Sequence, residues 1–184
     1  MNETRPHTVP TDPGTEWVKD DLIAIDVPPD AETALAAATR SGLHGCVAPT
    51  VVQVPSSGYR MYYTHVSPRP GCPQGANDYT NATARILSAT SIDGSTWNPE
   101  AGVRLSSQQG GAGDYRVVAP EVVPMFDGSG RWRMYFECCP GTQAVTSTIR
   151  SAVSEDGLEW TMEPGDRLRG GGSYNAPRVL QLDD

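Results

Sequence analysis

The hydrophobic pattern divides the chain into short strands separated by turns. Val51 to Val54 is β-branched, Arg60 to Thr64 alternates with aromatics, and Arg85 to Thr90 alternates apolar with small or polar residues. Asp93-Gly94 then marks a tight turn, because glycine supplies the positive φ such turns need. Trp97 comes next and is expected to pack an outer strand against the sheet, with Val103-Arg104-Leu105 closing the unit. One helix is expected, from Asp30 to Arg40: Asp30 can cap it, alanines fill it and Gly42 can end it.

The same script runs twice. Ala48-Pro49-Thr50-Val51-Val52 and Tyr59-Arg60-Met61-Tyr62-Tyr63 correspond to Ala119-Pro120-Glu121-Val122-Val123 and Trp132-Arg133-Met134-Tyr135-Phe136. Ser91-Ile92-Asp93-Gly94-Ser95-Thr96-Trp97 corresponds to Ser154-Glu155-Asp156-Gly157-Leu158-Glu159-Trp160. Ser91, Trp97 and Leu105 each lie 63 residues before Ser154, Trp160 and Leu168. A third start is Ala176-Pro177-Arg178-Val179-Leu180, and the longer loop Thr64 to Ala84 lengthens the first unit. Asp12-Pro13-Gly14-Thr15-Glu16-Trp17 echoes the turn, making Trp17 to Ile25 the expected last strand of a preceding unit.

Four antiparallel strands at this period describe a β-propeller blade. The fold class is therefore all-β, with four-stranded blades and a propeller incomplete in this chain. The expected divisions are 1–43 (a last strand and a helix), 44–107 (a blade), 108–170 (a blade) and 171–184 (the first strand of another). Two blades and parts of two others cannot close a ring, and open blades expose sheet edges. The sequence is thus expected to be a piece of a longer protein, with swapped assembly as the other route.

Composition agrees, since Gly 19 and Pro 16 in 184 residues are too many for long helices. A net charge of −8 argues against gripping nucleic-acid phosphates. No apolar run reaches membrane-span length, and Met1 to Pro13 lacks a signal-peptide pattern. A soluble, cytoplasmic protein is the expectation. Cys46, Cys72, Cys138 and Cys139 have no zinc spacing, so no metal or cofactor is expected and packed thiols are, with a Cys46–Cys72 bridge the alternative after export.

The combination Pro-x-Val-Val, Tyr-Arg-Met-Tyr-Tyr and Ser-x-Asp-Gly-x-x-Trp resembles the five-bladed propellers of the arabinanase, levansucrase and invertase superfamily of glycoside hydrolases, over roughly residues 44 to 184. Sialidase Asp-boxes are similar but hold one more residue between Ser and Trp, which favours five blades over six. The resemblance implies carboxylates at the inner ends of the blades, one acting as acid and another as base or nucleophile. In arabinanase-like members an acid directly or nearly precedes the innermost-strand Pro. Here Ala48 and Ala119 stand before Pro49 and Pro120, and Asn175-Ala176-Pro177 replaces a Glu-Gly-Pro type motif.

Alternation supplies substitutes. Residues two apart on a strand share a face, so Thr50, Glu121 and Arg178 are expected at matched places beside the three alanines, with His44 and Tyr115 further back and Tyr174 on the third strand's row. Glu121 is the only carboxylate in this row and the catalytic candidate. His44, Thr50, Tyr115, Tyr174, Asn175 and Arg178 are the substrate-binding candidates, with a carbohydrate as the partner. Asp114 reads as a loop residue. Glu137-Cys138 matches the Glu-Cys acid motif of invertases but lies on a second strand, and is read as accidental. Asp93 and Asp156 are read as turn residues, Trp97 and Trp160 as core anchors, Tyr62 and Tyr135 as blade packing, and Arg60 and Arg133 as ties between strands. The expected function is a glycoside hydrolase-like propeller acting on or binding a poly- or oligosaccharide; the alternative is a carbohydrate-binding propeller that has lost its acids.

Overall fold

A computed structural model describes Asp21, Ala24, Ile25 and residues 45–55, 58–69, 71–72, 79–142 and 145–180. Their strands are β1 (Gly45–Val54), β2 (Gly58–Pro68), β3 (Ala82–Ser91), β4 (Asn98–Pro99), β5 (Arg116–Pro124), β6 (Trp132–Cys139), β7 (Thr148–Ser154) and β8 (Thr161–Met162). Among the described residues one 3-10 turn, Tyr79–Asn81, is seen, and it precedes β3. The architecture is all-β: one eight-stranded sheet runs in the order β1-β2-β3-β5-β6-β7-β8, with β4 paired to β3. Its ends do not meet.

Within the sheet lie two antiparallel units, β1 to β4 and β5 to β8. They join at one parallel pairing, Ala84 with Arg116, where Ala84 N donates to Tyr115 O at 3.1 Å. In each unit the fourth strand is brief. Beyond β4 the contact with β3 continues through Glu100 N to Ser88 O at 2.9 Å and the Ile86–Leu105 bridge, and beyond β8 through Glu163 N to Ser151 O at 3.0 Å and the Ile149–Leu168 bridge.

Side-chain alternation assigns each face. Tyr62, Thr64, Ile86 and Ser88 stand opposite one another across β2 and β3 and share a side; Met61, Tyr63, Leu87 and Ala89 take the other. Tyr62 and Ile86 join Val117, Val122, Met134, Phe136, Cys138, Ala152 and Trp160 in a buried cluster between the units. Met61, Tyr63, Leu87 and Ala89 form a second cluster, with Ile25, Cys46 and Trp97 packed against it. Burial pushes the Tyr62 phenol up to about 12. Its hydroxyl donates to Gly157 O at 2.9 Å, which satisfies the one polar atom this large ring buries.

The paired arginines bind between strands. Arg60 makes a two-pronged contact with Glu100, at 2.9 and 3.1 Å, and Arg133 does the same with Glu163, at 2.9 Å twice. Ser88 and Ser151 each donate to the same carboxylate, at 2.7 and 2.6 Å. Cys46, Cys72, Cys138 and Cys139 are thiols, joined in no disulfide among the described residues.

Several expectations need correction. The loop expected from Thr64 to Ala84 is shorter, because the β2/β3 hairpin continues to Pro68↔Ala82. Residues 171–180 form no strand, since among the described residues no second strand offers them a ladder. Of Trp17 to Ile25, only Asp21, Ala24 and Ile25 are described, and they are bends or irregular. The helix expected at 30–40 and the candidate His44 lie outside the described residues. No helix among the described residues is long and apolar enough to cross a membrane.

Candidate functional site

The first strands of the two units break in the same way. In β1 the register jumps between Val47↔Thr64 and Thr50↔Tyr62; in β5 it jumps between Val118↔Glu137 and Glu121↔Tyr135. Each break is a β-bulge over an Ala-Pro pair. The alanines are left-handed, Ala48 at φ 49° and Ala119 at φ 52°, and Ala176 before Pro177 has φ 42°. They are the only non-glycine residues of positive φ among the described residues. That conformation costs an alanine about 1–2 kcal/mol, so the surroundings must hold it. Proline contributes by removing an N–H that the ladder would otherwise use.

Just beyond the bulges the chain brings three candidates together. Thr50 Oγ1 donates to Glu121 Oε2 at 3.2 Å, and Arg178 Nη1 lies 3.5 Å from the same oxygen. A hydroxyl, a carboxylate and a guanidinium thus form a row, each two residues past one of the left-handed alanines. The Glu121 side chain keeps 14% of its surface and Arg178 59%, so the row is reachable from solvent. Arg178 Nη1 also donates to Pro177 O at 2.9 Å.

The bulge changes which residues accompany Glu121. Directly opposite residues share a face, so Val118 and Glu121 both lie on the side of Tyr135 and Glu137. Ala119 and Glu121 therefore do not follow simple alternation. Tyr115 is a bend residue just before β5 and has no partner in its ladder with β6. Tyr115 sits instead at the joint between the units: the Arg69 guanidinium lies 4.7 Å from its ring centre, and its carbonyl accepts from Ala84 N and Thr83 Oγ1 at 3.1 and 2.8 Å. Asp114 accepts from Gln108 Nε2 at 2.8 Å in an exposed turn, away from the row.

Tyr174 and Asn175 meet a different carboxylate. Glu137, 6% exposed, accepts from Cys139 Sγ at 3.1 Å and from Ala176 N at 3.3 Å. With its amide nitrogen turned inward, Asn175 donates to Glu137 Oε1 at 3.2 Å and to Ser147 Oγ at 2.9 Å. Ser147 Oγ donates to Tyr174 O at 3.0 Å. Glu137 is thus more than the second half of a Glu-Cys pair, because it ties residues 174–176 to β6. Its sequence signal was the alternation Tyr135, Glu137, Cys139, which places an acid and a thiol on one face.

Among the described residues no group of three or more His, Cys, Asp or Glu is arranged to hold a metal ion. No protein-family model matches this sequence, and no curated protein matches it. Solved structures do match in shape. One is a glycoside hydrolase of family 117, Zg3597, from the marine bacterium Zobellia galactanivorans: TM-score 0.54, 19% identity, 75% of this chain and 44% of that one. Another glycoside hydrolase gives TM-score 0.51 and 18% identity over 72% of this chain and 36% of that one. A glycoside hydrolase inferred in Parabacteroides distasonis gives TM-score 0.51 and 15% identity over 65% and 32%. The chain spans less than half the length of each. At these identities the likeness is one of fold, and it is a fold found among glycoside hydrolases.

Proposed function

We propose that this chain supplies two blades and part of a third to a five-bladed propeller of the glycoside hydrolase type, and that Glu121 is its sugar-facing carboxylate. The observation that carries this reading is the row Thr50–Glu121–Arg178, in which one solvent-reachable acid stands between a hydroxyl and a guanidinium, each two residues past a left-handed alanine. Such a row offers a sugar both donors and an acceptor, and hydrolysis needs a carboxylate at the glycosidic oxygen or the anomeric carbon. The full-length protein should be assayed on aryl-glycosides and oligosaccharides beside Glu121→Gln. A catalytic Glu121 predicts a kcat lower by about 10²–10⁴-fold with KM little changed. Unchanged turnover in the variant removes Glu121 from the mechanism.

A second reading rests on Ala48, Ala119 and Ala176, which occupy the places where the resemblance expects acids. On that reading the propeller binds saccharides without cleaving them. Titration calorimetry separates the two. Binding without hydrolysis, weakened about tenfold by Arg178→Ala as one hydrogen bond to a charged group is lost, favours the binding module.

A further inference from the structure

We propose that Thr64 is a positioning residue for Glu121, acting through the backbone of Ala119; this rests on the reading of Glu121 as the sugar-facing carboxylate. Ala119 lies inside the β5 bulge, where the jump from Val118↔Glu137 to Glu121↔Tyr135 leaves its N–H without a ladder partner. That N–H is buried and donates instead to Thr64 Oγ1 at 2.9 Å. Thr64 is itself fully buried on β2, on the face turned toward the second unit. The bond therefore crosses from one four-stranded unit to the next. It meets the chain at a left-handed residue, φ 52°, two positions before the carboxylate.

The left-handed turn at Ala119 sets the orientation of Glu121. Side chains on a strand alternate with period two, so adding or losing one bulged residue moves every later side chain to the other face. With the bulge in place, Glu121 shares the face of Tyr135 and Glu137 and reaches Thr50 and Arg178. If Ala119 relaxed to an extended conformation, Glu121 would turn away from both. Thr64 Oγ1 opposes that relaxation by giving the buried N–H an acceptor only in the bulged geometry.

The next unit repeats the bond with different chemistry. Counted from the matched Arg60-Met61-Tyr62 and Arg133-Met134-Tyr135, the position of Thr64 is held by Glu137. Glu137 Oε2 accepts the N–H of Ala176, left-handed at φ 42° and two residues before Arg178. A hydroxyl in one unit and a carboxylate in the other share only the ability to accept a hydrogen bond at that point. Acceptance of the alanine N–H is therefore what the position supplies.

The test uses Thr64→Val, which keeps the shape and removes the acceptor, Thr64→Ser, which keeps the oxygen, and the double variant Thr64→Val/Ala119→Gly, in which glycine holds positive φ without strain. Two readouts are taken on the full-length protein: amide hydrogen exchange at residue 119, and kcat and KM on the saccharide substrate, or saccharide affinity if it only binds. Thr64→Val should expose the residue 119 amide about tenfold and lower the Glu121-dependent readout about tenfold. Thr64→Ser should match wild type, and the added Ala119→Gly should restore the saccharide readout. If Thr64→Val does not fold, the double variant should fold again. Retained protection in Thr64→Val, or no recovery in the double variant, overturns the proposal. Hydrogen exchange keeps the two readings apart: if Glu121→Gln leaves the saccharide readout unchanged, the function fails while exchange at residue 119 still decides the role of Thr64.

Discussion

The turns at Asp93-Gly94 and Asp156-Gly157 are built by the same bonds and meet different surroundings. In the first, Gly94 N donates to Ser91 Oγ at 2.8 Å, Ser95 N and Thr96 N donate to Asp93 Oδ1, and Trp97 Nε1 donates to Gly94 O at 3.1 Å. In the second, Gly157 N donates to Ser154 Oγ at 2.8 Å, Leu158 N and Glu159 N donate to Asp156 Oδ1, and Trp160 Nε1 donates to Gly157 O at 3.2 Å. Only the second is gripped from outside by the described residues. Arg60 Nη1 donates to Asp156 O and Tyr62 Oη to Gly157 O, both at 2.9 Å, and the Tyr62 ring meets Trp160 edge-on at 5.7 Å. Trp160 is consequently 8% exposed, while Trp97 is only partly buried. Local sequence makes the turn; the preceding unit makes it part of a core.

Truncating the tryptophans should separate these contributions most widely. Trp160→Ala empties a buried ring site between the units and should cost about 3–5 kcal/mol in urea unfolding. Trp97→Ala removes a partly buried ring and should cost about 1–2 kcal/mol. Equal losses would mean that the packing of Tyr62 on Trp160 adds nothing, and the contrast between the turns would be one of appearance.

Glycine substitution sharpens the same contrast with a smaller effect. Gly94 and Gly157 have φ 78° and 75°, so alanine at either meets the left-handed penalty of about 1–2 kcal/mol. At Gly157 a new Cβ would also lie 2.5 Å from Tyr62 Oη and 2.6 Å from Arg60 Nη1; at Gly94 the nearest atoms are those of the Tyr59 ring, at 4.0 Å. Gly157→Ala should therefore cost about 3 kcal/mol, roughly twice the cost of Gly94→Ala. Adding Arg60→Ala to Gly157→Ala should recover part of the excess, and a strictly additive double variant would show that the grip carries no strain.

Legibility in the sequence divides in the same way, between local and distant causes. The turns were legible because every bond in them joins residues within three positions, and the residue types name the bonds. The ties made by Arg60 and Arg133 were legible in kind, since a recurring arginine is better explained by the sheet than by a substrate. The row Thr50–Glu121–Arg178 came from counting two residues on from each alanine. It met in space although the count passed through a bulge that alternation ignores. The bulge itself was hidden, because alanine has no preference for positive φ and Thr64, which holds Ala119, lies 55 residues away. For the same reason Glu137 was read as an accidental match, since its partner Ala176 N–H is 39 residues distant.

The smallest expected effect concerns charge, and it should be alike in the two turns. Backbone N–H donors, Thr96 and then Ser95 at Asp93, and Glu159 and then Leu158 at Asp156, hold both carboxyls below the ordinary carboxylate range. A carboxyl whose folded-state pKa is depressed binds its proton less readily in the folded chain than in the unfolded one. The stability it contributes is full above the unfolded value, near pH 4, and is lost as pH falls through the folded value. Wild-type urea midpoints should therefore decline below about pH 4. Asp93→Asn and Asp156→Asn should each lower the midpoint at neutral pH and flatten that decline. The donors belong to the turn itself, so the two variants should flatten the curve similarly, although only the second turn is gripped by Arg60 and Tyr62. A decline flattened by Asp156→Asn alone would mean that the charge acts through the neighbouring unit, and that the first turn is not stable by its own bonds.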